Sequence, residues 1–336
     1  MKLPFEKFAL IFVLLLSSVV FVSAQTDTEK GIELYNKGDY QNAVQILKRA
    51  AKQNKKDVNA WYYLGWSSAQ IQDVKASRKA FKEAADLNPQ DARPLVGLAY
   101  VALLSDKLDD AEDKAKKAVA LAPNESRAYY FLSVVNYRKG KYETAEKWAE
   151  KAIETNPNFS DSYWAKVLAK FSDVIGDGGL EEISSDLRTR MFDEAMATLE
   201  SYPNLSENNA EAGFVRNKID TLKMFQRYFV EPSLPTNIPA TIPPPDPTVT
   251  PIKFISKPQA HYTDAARKNG VSGNIRLAVL FAANGAVEYV LPLRGLKNGL
   301  NEEAMKAAYS IKFQPQMKNG KPVSVIKIVE YSFSVF

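Results

Sequence analysis

A fixed period of 34 residues constrains this 336-residue chain more than any other feature. Asn88-Pro89, Ala122-Pro123 and Asn156-Pro157 recur at that spacing, as do Ala50, Ala84, Ala118 and Ala152, and Leu64, Leu98 and Leu132. Such a period marks one supersecondary unit stacked on copies of itself. It fits two helices of about twelve residues joined by short turns. The recurrent small residues let helix backbones approach, and the large ones fill the gaps. Proline closes each second helix because it cannot continue one.

The unit at 58–91 carries Trp61, Leu64, Gly65, Phe81, Ala84 and Pro89. The unit at 24–57 has Gly31, Gly38, Tyr40, Ala43 and Ala50, with Lys55 where proline is expected. Leu95, Leu98, Ala99, Ala111, Ala118 and Pro123 mark 92–125, and Tyr129, Leu132, Gly140, Tyr142, Ala145, Ala152 and Pro157 mark 126–159. This pattern resembles the tetratricopeptide repeat. The resemblance implies an all-α solenoid with four repeats within 25–159. It also implies a concave face lined by the first helices, at Tyr62, Trp66, Arg93, Tyr100, Arg127, Tyr130, Tyr137, Trp164 and Phe171. Aromatic side chains offer large contact area at low entropic cost, so this lining suits an extended peptide with apolar side chains. The alternative is that several of them pack against neighbouring helices.

Beyond residue 160 the register falters. Residues 162–174 read as a fifth first helix, followed by a glycine-rich insertion at 175–187 and a second-type helix with Asp193, Glu194, Ala195 and Leu199. The insertion contains Gly-Asp-Gly-Gly, which lacks the alternating ligands of a calcium loop and reads as an ordinary turn. Val215, Ile219, Leu222, Phe225 and Phe229 share one helix face, as a capping helix requires. The region 160–230 is thus an interrupted fifth repeat plus a cap.

Lys2 and Lys7 flank the start of an apolar run, 8–22, that ends in Val22-Ser23-Ala24. This describes a secretory signal over 1–24, the rival being an uncleaved anchor. Residues 231–251 hold eight of the 18 prolines and read as a semi-rigid spacer. The chain has no cysteine and one histidine, His261, so disulfides, thiolate metal sites and histidine-based catalysis have little to rest on. Residues 252–336 carry 12 Lys/Arg against 5 Asp/Glu, yet no basic stripe interleaved with aromatics suggests nucleic acid. No catalytic, cofactor or metal constellation is found.

From Pro251 the texture changes. A short helical stretch at 262–268 precedes an alternating run, 274–281, with Ile275, Leu277, Val279 and Phe281 on one face. Asn284-Gly285 signals a hairpin, and 287–291 returns. Residues 301–309 fit a helix capped by Asn301, and Val325, Val329, Tyr331, Phe333 and Val335 share a face to the end. The expected order is α-β-β-α-β, a small α+β domain over 252–336. Pro258, Tyr262, Arg267, Gly270, Gly273, Leu300, Ala304, Phe313, Pro315, Gly320 and Pro322-Val323 fall in the order of the TonB C-terminal domain, which this region resembles. It departs where Thr263 follows Tyr262 in place of proline.

The resemblance implies a periplasmic domain that captures an extended peptide, such as the box of a TonB-dependent outer-membrane receptor, beside its last strand. The expected partner edge comprises Pro258, Tyr262, Lys327, Val329, Tyr331 and Phe333, with Lys327 and Glu330 either guarding it or reading a partner's charge. The whole then reads as a TonB-family, non-catalytic periplasmic adaptor with protein partners, no cofactor and no nucleic acid. Its alternative is an inner-membrane-anchored energy transducer, touching the membrane only through an uncleaved segment. A homodimer by strand exchange fits either reading.

Overall fold

The computed structural model describes residues 26–176, 178–230 and 248–334. The expected signal segment and all of the proline-rich stretch up to residue 247 lie outside them. The chain forms two compact units, 1–101 and 102–336.

The first unit holds α1 (Asp27–Asn36), α2 (Tyr40–Gln53), α3 (Val58–Gln70), α4 (Val74–Leu87) and the greater part of α5 (Ala92–Leu104). Local chemistry starts these helices. Thr26 and Glu29 form a capping box on α1, and the carboxylates of Asp39, Asp57 and Asp73 accept from the amides of Asn42, Ala60 and Ala76. The turn inside each repeat needs a left-handed residue, and Gly38, Gln72, Asp106 and Gly140 supply it with φ of 77°, 63°, 57° and 70°. The glycines within helices answer a different need. Phe81 is fully buried, and a Cβ on Gly65 or Gly97 would lie 2.6 or 2.4 Å from its ring.

The second unit continues with α6 (Leu108–Leu121), α7 (Ser126–Arg138), α8 (Tyr142–Thr155) and α9 (Ser160–Ile175). A 3-10 turn (Leu180–Glu182), α10 (Ser185–Glu200) and α11 (Ala210–Phe229) follow. The terminal domain then runs β1 (Val249–Thr250), β2 (Lys253–Ser256), α12 (Asp264–Lys268), β3 (Gly273–Phe281), β4 (Val287–Arg294), α13 (Leu300–Tyr309), β5 (Lys312–Gln314), β6 (Gln316–Lys318), β7 (Lys321–Val323) and β8 (Val325–Phe333). The main sheet is antiparallel in the order β4-β3-β8, while β2 pairs with β5 and β1-β6-β7 form a third ladder. The predicted α-β-β-α-β core is thus supplemented by short strands. Val249 and Thr250, read from sequence as spacer, pair with Lys318 and Met317.

The sheet is buried on both faces. Ile275, Leu277, Val279 and Phe281 meet Leu300, Ala304 and Ala308 of α13 in the domain's own core. On the opposite face Ala278, Leu280, Tyr289, Leu291, Leu293 and Ile326 enter the core of α9–α11 beside Val167, Phe192 and Phe225. The compact units therefore do not divide at the proline-rich stretch: the terminal domain shares a core with the last repeats. Asn301 is not the cap of α13. Gly299 takes that position, and Asn301 is buried, accepting from the amide of Leu296 at 2.8 Å.

Candidate partner-binding surfaces

In the first unit the lining expected from the repeat pattern is only partly accessible. Trp66 is 6% exposed, and its ring packs 5.3 Å from both Phe81 and Tyr100 and 6.4 Å from Tyr62. Tyr62 and Tyr100 are half-buried, and Arg93 is exposed. The Arg93 guanidinium lies 5.1 Å over the Tyr62 ring while bonding Asp91 at 2.7 Å, so both groups present one fixed polar-aromatic surface. Trp66 is core, whereas Tyr62 and Arg93 remain accessible at the surface.

In the second unit Arg127 is exposed on α7. Tyr130 is half-buried against Phe131 and Phe159. Phe171 is 2% exposed and sits edge-on to Phe192, so it is removed from any groove. Trp164 faces the terminal domain, 5.2 Å from Tyr289, and Tyr289 also meets Phe225 at 5.1 Å. Lys218 spans this seam, 5.1 Å from the Trp164 ring; burial pushes its pKa down, against the pull of Glu288 and Asp161. Tyr137 lines a cleft of about 820 Å³ along the same seam, with Ile175, Pro292, Met305 and Tyr309. Its polar rim is satisfied, Tyr142 donating to Glu302 at 2.6 Å and Lys306 lying 3.6 Å from Asp106.

The last strand forms the second surface. Among the described residues β8 pairs only with β3, in unbroken register from Gly273↔Phe333 to Phe281↔Val325. The side chains of Val329, Tyr331 and Phe333 are buried in the domain core. They do not line the outer edge of the sheet. The alternation of the ladder shows which backbone groups do. Ala282 donates to Ala286 across the β3–β4 hairpin, so even-numbered residues of β3 point their backbone toward β4 and odd ones toward β8. In β8 the odd residues therefore bond β3, and the backbone groups of Ile326, Ile328, Glu330 and Ser332 point away from the sheet. Lys327 is exposed, but its backbone is turned inward; the Glu330 carboxylate lies 3.9 Å from Arg276 on β3. Pro258 and Tyr262 belong to the segment running beside β8, where the Tyr262 ring is 5.8 Å from Phe333 and its hydroxyl donates to Val271 O at 2.7 Å.

Among the described residues no group of three or more His, Cys, Asp or Glu is placed to hold a metal ion. None of their helices is long and apolar enough to cross a membrane.

Stacked helical hairpins ending in a sheet with an open edge define a class of protein-interaction scaffolds. The tetratricopeptide repeat matches residues 28–92 and 96–159, and the Gram-negative bacterial TonB protein C-terminal domain matches residues 258–335. The chain is a fusion of tetratricopeptide repeats with a TonB C-terminal domain. Both are non-catalytic interaction modules, and the second is a module of the cell envelope. No curated protein matches the chain. Among solved structures, TTC0263, a thermophilic TPR protein in Thermus thermophilus, is 19% identical over 60% of this chain and 98% of its own, with a TM-score of 0.48. The MamA protein is 23% identical over 54% and 92%, with a TM-score of 0.41. The structure of Pseudomonas aeruginosa pilF is 14% identical over 60% and 89%, with a TM-score of 0.45.

Proposed function

We propose that this protein is a periplasmic adaptor with two binding surfaces. The repeats hold a partner peptide through the surface around Tyr62 and Arg93. The terminal domain captures an extended strand of a second partner, a TonB-dependent outer-membrane receptor, along β8. The observation that carries the reading is the one-sided pairing of β8, which leaves four residues' backbone groups directed outward. Backbone bonds along such an edge supply affinity, and flanking side chains such as Ile328, which is 38% exposed, supply selectivity.

A photocrosslinking amino acid at Ser332 tests this in cells. It should capture an outer-membrane receptor, whereas the same group at the exposed Lys116 of α6 should not. Absence of that product at Ser332 would sink the receptor reading. Fractionation with N-terminal sequencing separates the adaptor from its alternative. A mature chain starting at Gln25 in the soluble fraction fits the adaptor; a Met1 start in inner-membrane fractions replaces it with an anchored energy transducer.

A further inference from the structure

The two edges of the main sheet are protected in different ways. At β4 the cover is backbone. Gly295 donates to Gly178 O at 3.2 Å, and a Cβ on Gly179 would lie 2.5 Å from the carbonyl carbon and oxygen of Leu293. Gly179 also has φ of 91°, where a side chain is strained. Gly178 and Gly179 are thus seated against the C-terminal end of β4, where an added strand would have to displace them.

At β8, among the described residues, the cover on the outward backbone comes from a side chain. Lys257 Nζ donates to the outward carbonyl of Glu330, and its ammonium lies 4.7 Å over the Tyr331 ring. The carbonyl of Glu330 is one that an added strand would use, and Lys257 supplies the hydrogen that the strand's N–H would bring. Lysine is well suited to this role: its stem is flexible, its charge discourages pairing between like edges, and it can swing into water when displaced.

We infer that Lys257 is a displaceable guard of the β8 edge: it closes the edge in the free protein and yields to an extended strand of a partner protein, while Gly178 and Gly179 stay packed on the end of β4. The inference rests on the strand-addition reading above. It assigns the guarding role to Lys257, not to Lys327 or Glu330, and directs strand entry to the β8 side of the sheet.

The test uses the intact chain, with the β8 edge of a second copy as probe and self-association read by sedimentation equilibrium. Lys257→Met keeps the stem and removes the donor. It should tighten self-association about tenfold, the scale of one charge-assisted hydrogen bond that an entering strand otherwise has to replace. Lys257→Arg should behave as wild type. Ser332→Pro added to Lys257→Met should return the chain to monomer, because it removes an outward N–H at an edge position where proline is tolerated. Circular dichroism checks that each variant is folded. If wild type and Lys257→Met associate equally and Ser332→Pro abolishes both, the guard is overturned and strand addition stands. Association that is absent from both, or indifferent to Ser332→Pro, overturns the guard, and the Ser332 crosslink then decides the strand-addition reading by itself.

Discussion

The aromatic positions of the first helices meet different fates in the two compact units. In the first unit Tyr62, Trp66 and Tyr100 pack on one another and on Phe81, and Tyr62 remains open beside Arg93. In the second unit Trp164 is used in cis, against Tyr289 of the sheet. The difference comes from the terminal domain's outer face, which is apolar and needs cover. A repeat surface that suits an apolar partner also suits a covalently attached one, and the attached one has the advantage of effective concentration. Outside the seam, Tyr62 and Arg93 in the first unit and Arg127 and Tyr130 in the second keep accessible surface.

The strongest way to break this comparison is at the seam itself. Gly179→Val places a Cβ within 2.5 Å of the Leu293 backbone at a left-handed position. The loop and β4 cannot both stay, so the cost should reach about 4 kcal/mol or more. Urea unfolding should then show the terminal domain separating before the helices, where wild type loses both together. A variant with an unchanged midpoint would mean that the insertion does not clamp the sheet. Tyr289→Ala comes next. It deletes a ring 2% exposed between Trp164 and Phe225 and should cost about 3 kcal/mol. Tyr62→Ala, at a half-buried ring, should cost about 1 kcal/mol by the same measurement while weakening partner capture by the repeats. Equal losses for the two tyrosines would erase the distinction between a cis contact and an accessible lining position.

The ease with which each feature could be read from sequence follows from how local its cause is. The solenoid was legible because helical hairpins of fixed length write their period directly into Ala50, Ala84, Ala118 and Ala152, all buried at helix crossings. The two-sided burial of the sheet had a signal that alternation alone missed. Leu277, Ala278, Val279, Leu280 and Phe281 are continuously apolar, as in a strand covered on both faces, and the reading used only the odd residues. Tyr289, Leu291 and Leu293 repeat that signal in β4. The need for Gly179 was not legible, because the backbone that forbids a side chain there belongs to Leu293, far along the chain. Lys257 was missed for a related reason: its role depends on which carbonyls of β8 face outward, and that parity is fixed only by the β3 register.

The smallest predicted effect concerns charge within the repeats of the second unit. Glu112 accepts hydrogen bonds from Lys116 at 2.6 Å and Lys139 at 2.5 Å, and these hold its pKa at about 2 against an ordinary value of 4.5. A carboxylate whose pKa is depressed by folding stabilises the fold above its unfolded pKa. That contribution fades as pH falls from about 4.5 toward 2, where the folded form also takes up its proton. Glu112→Gln removes the titrating group and keeps the shape. Between pH 5 and pH 2.5 the urea midpoint of wild type should therefore fall further than that of the variant, with the gap between them greatest at pH 5. The effect should be less than about 1 kcal/mol, since the pair lies near the surface and exposed ion pairs are screened by salt. Adding 0.5 M salt should narrow the gap at pH 5, while leaving the cost of Tyr289→Ala unchanged, because that cost comes from apolar burial. A salt-sensitive Tyr289→Ala penalty would instead mean that the seam is held by the charges around Lys218 and Glu288 more than by its aromatic rings.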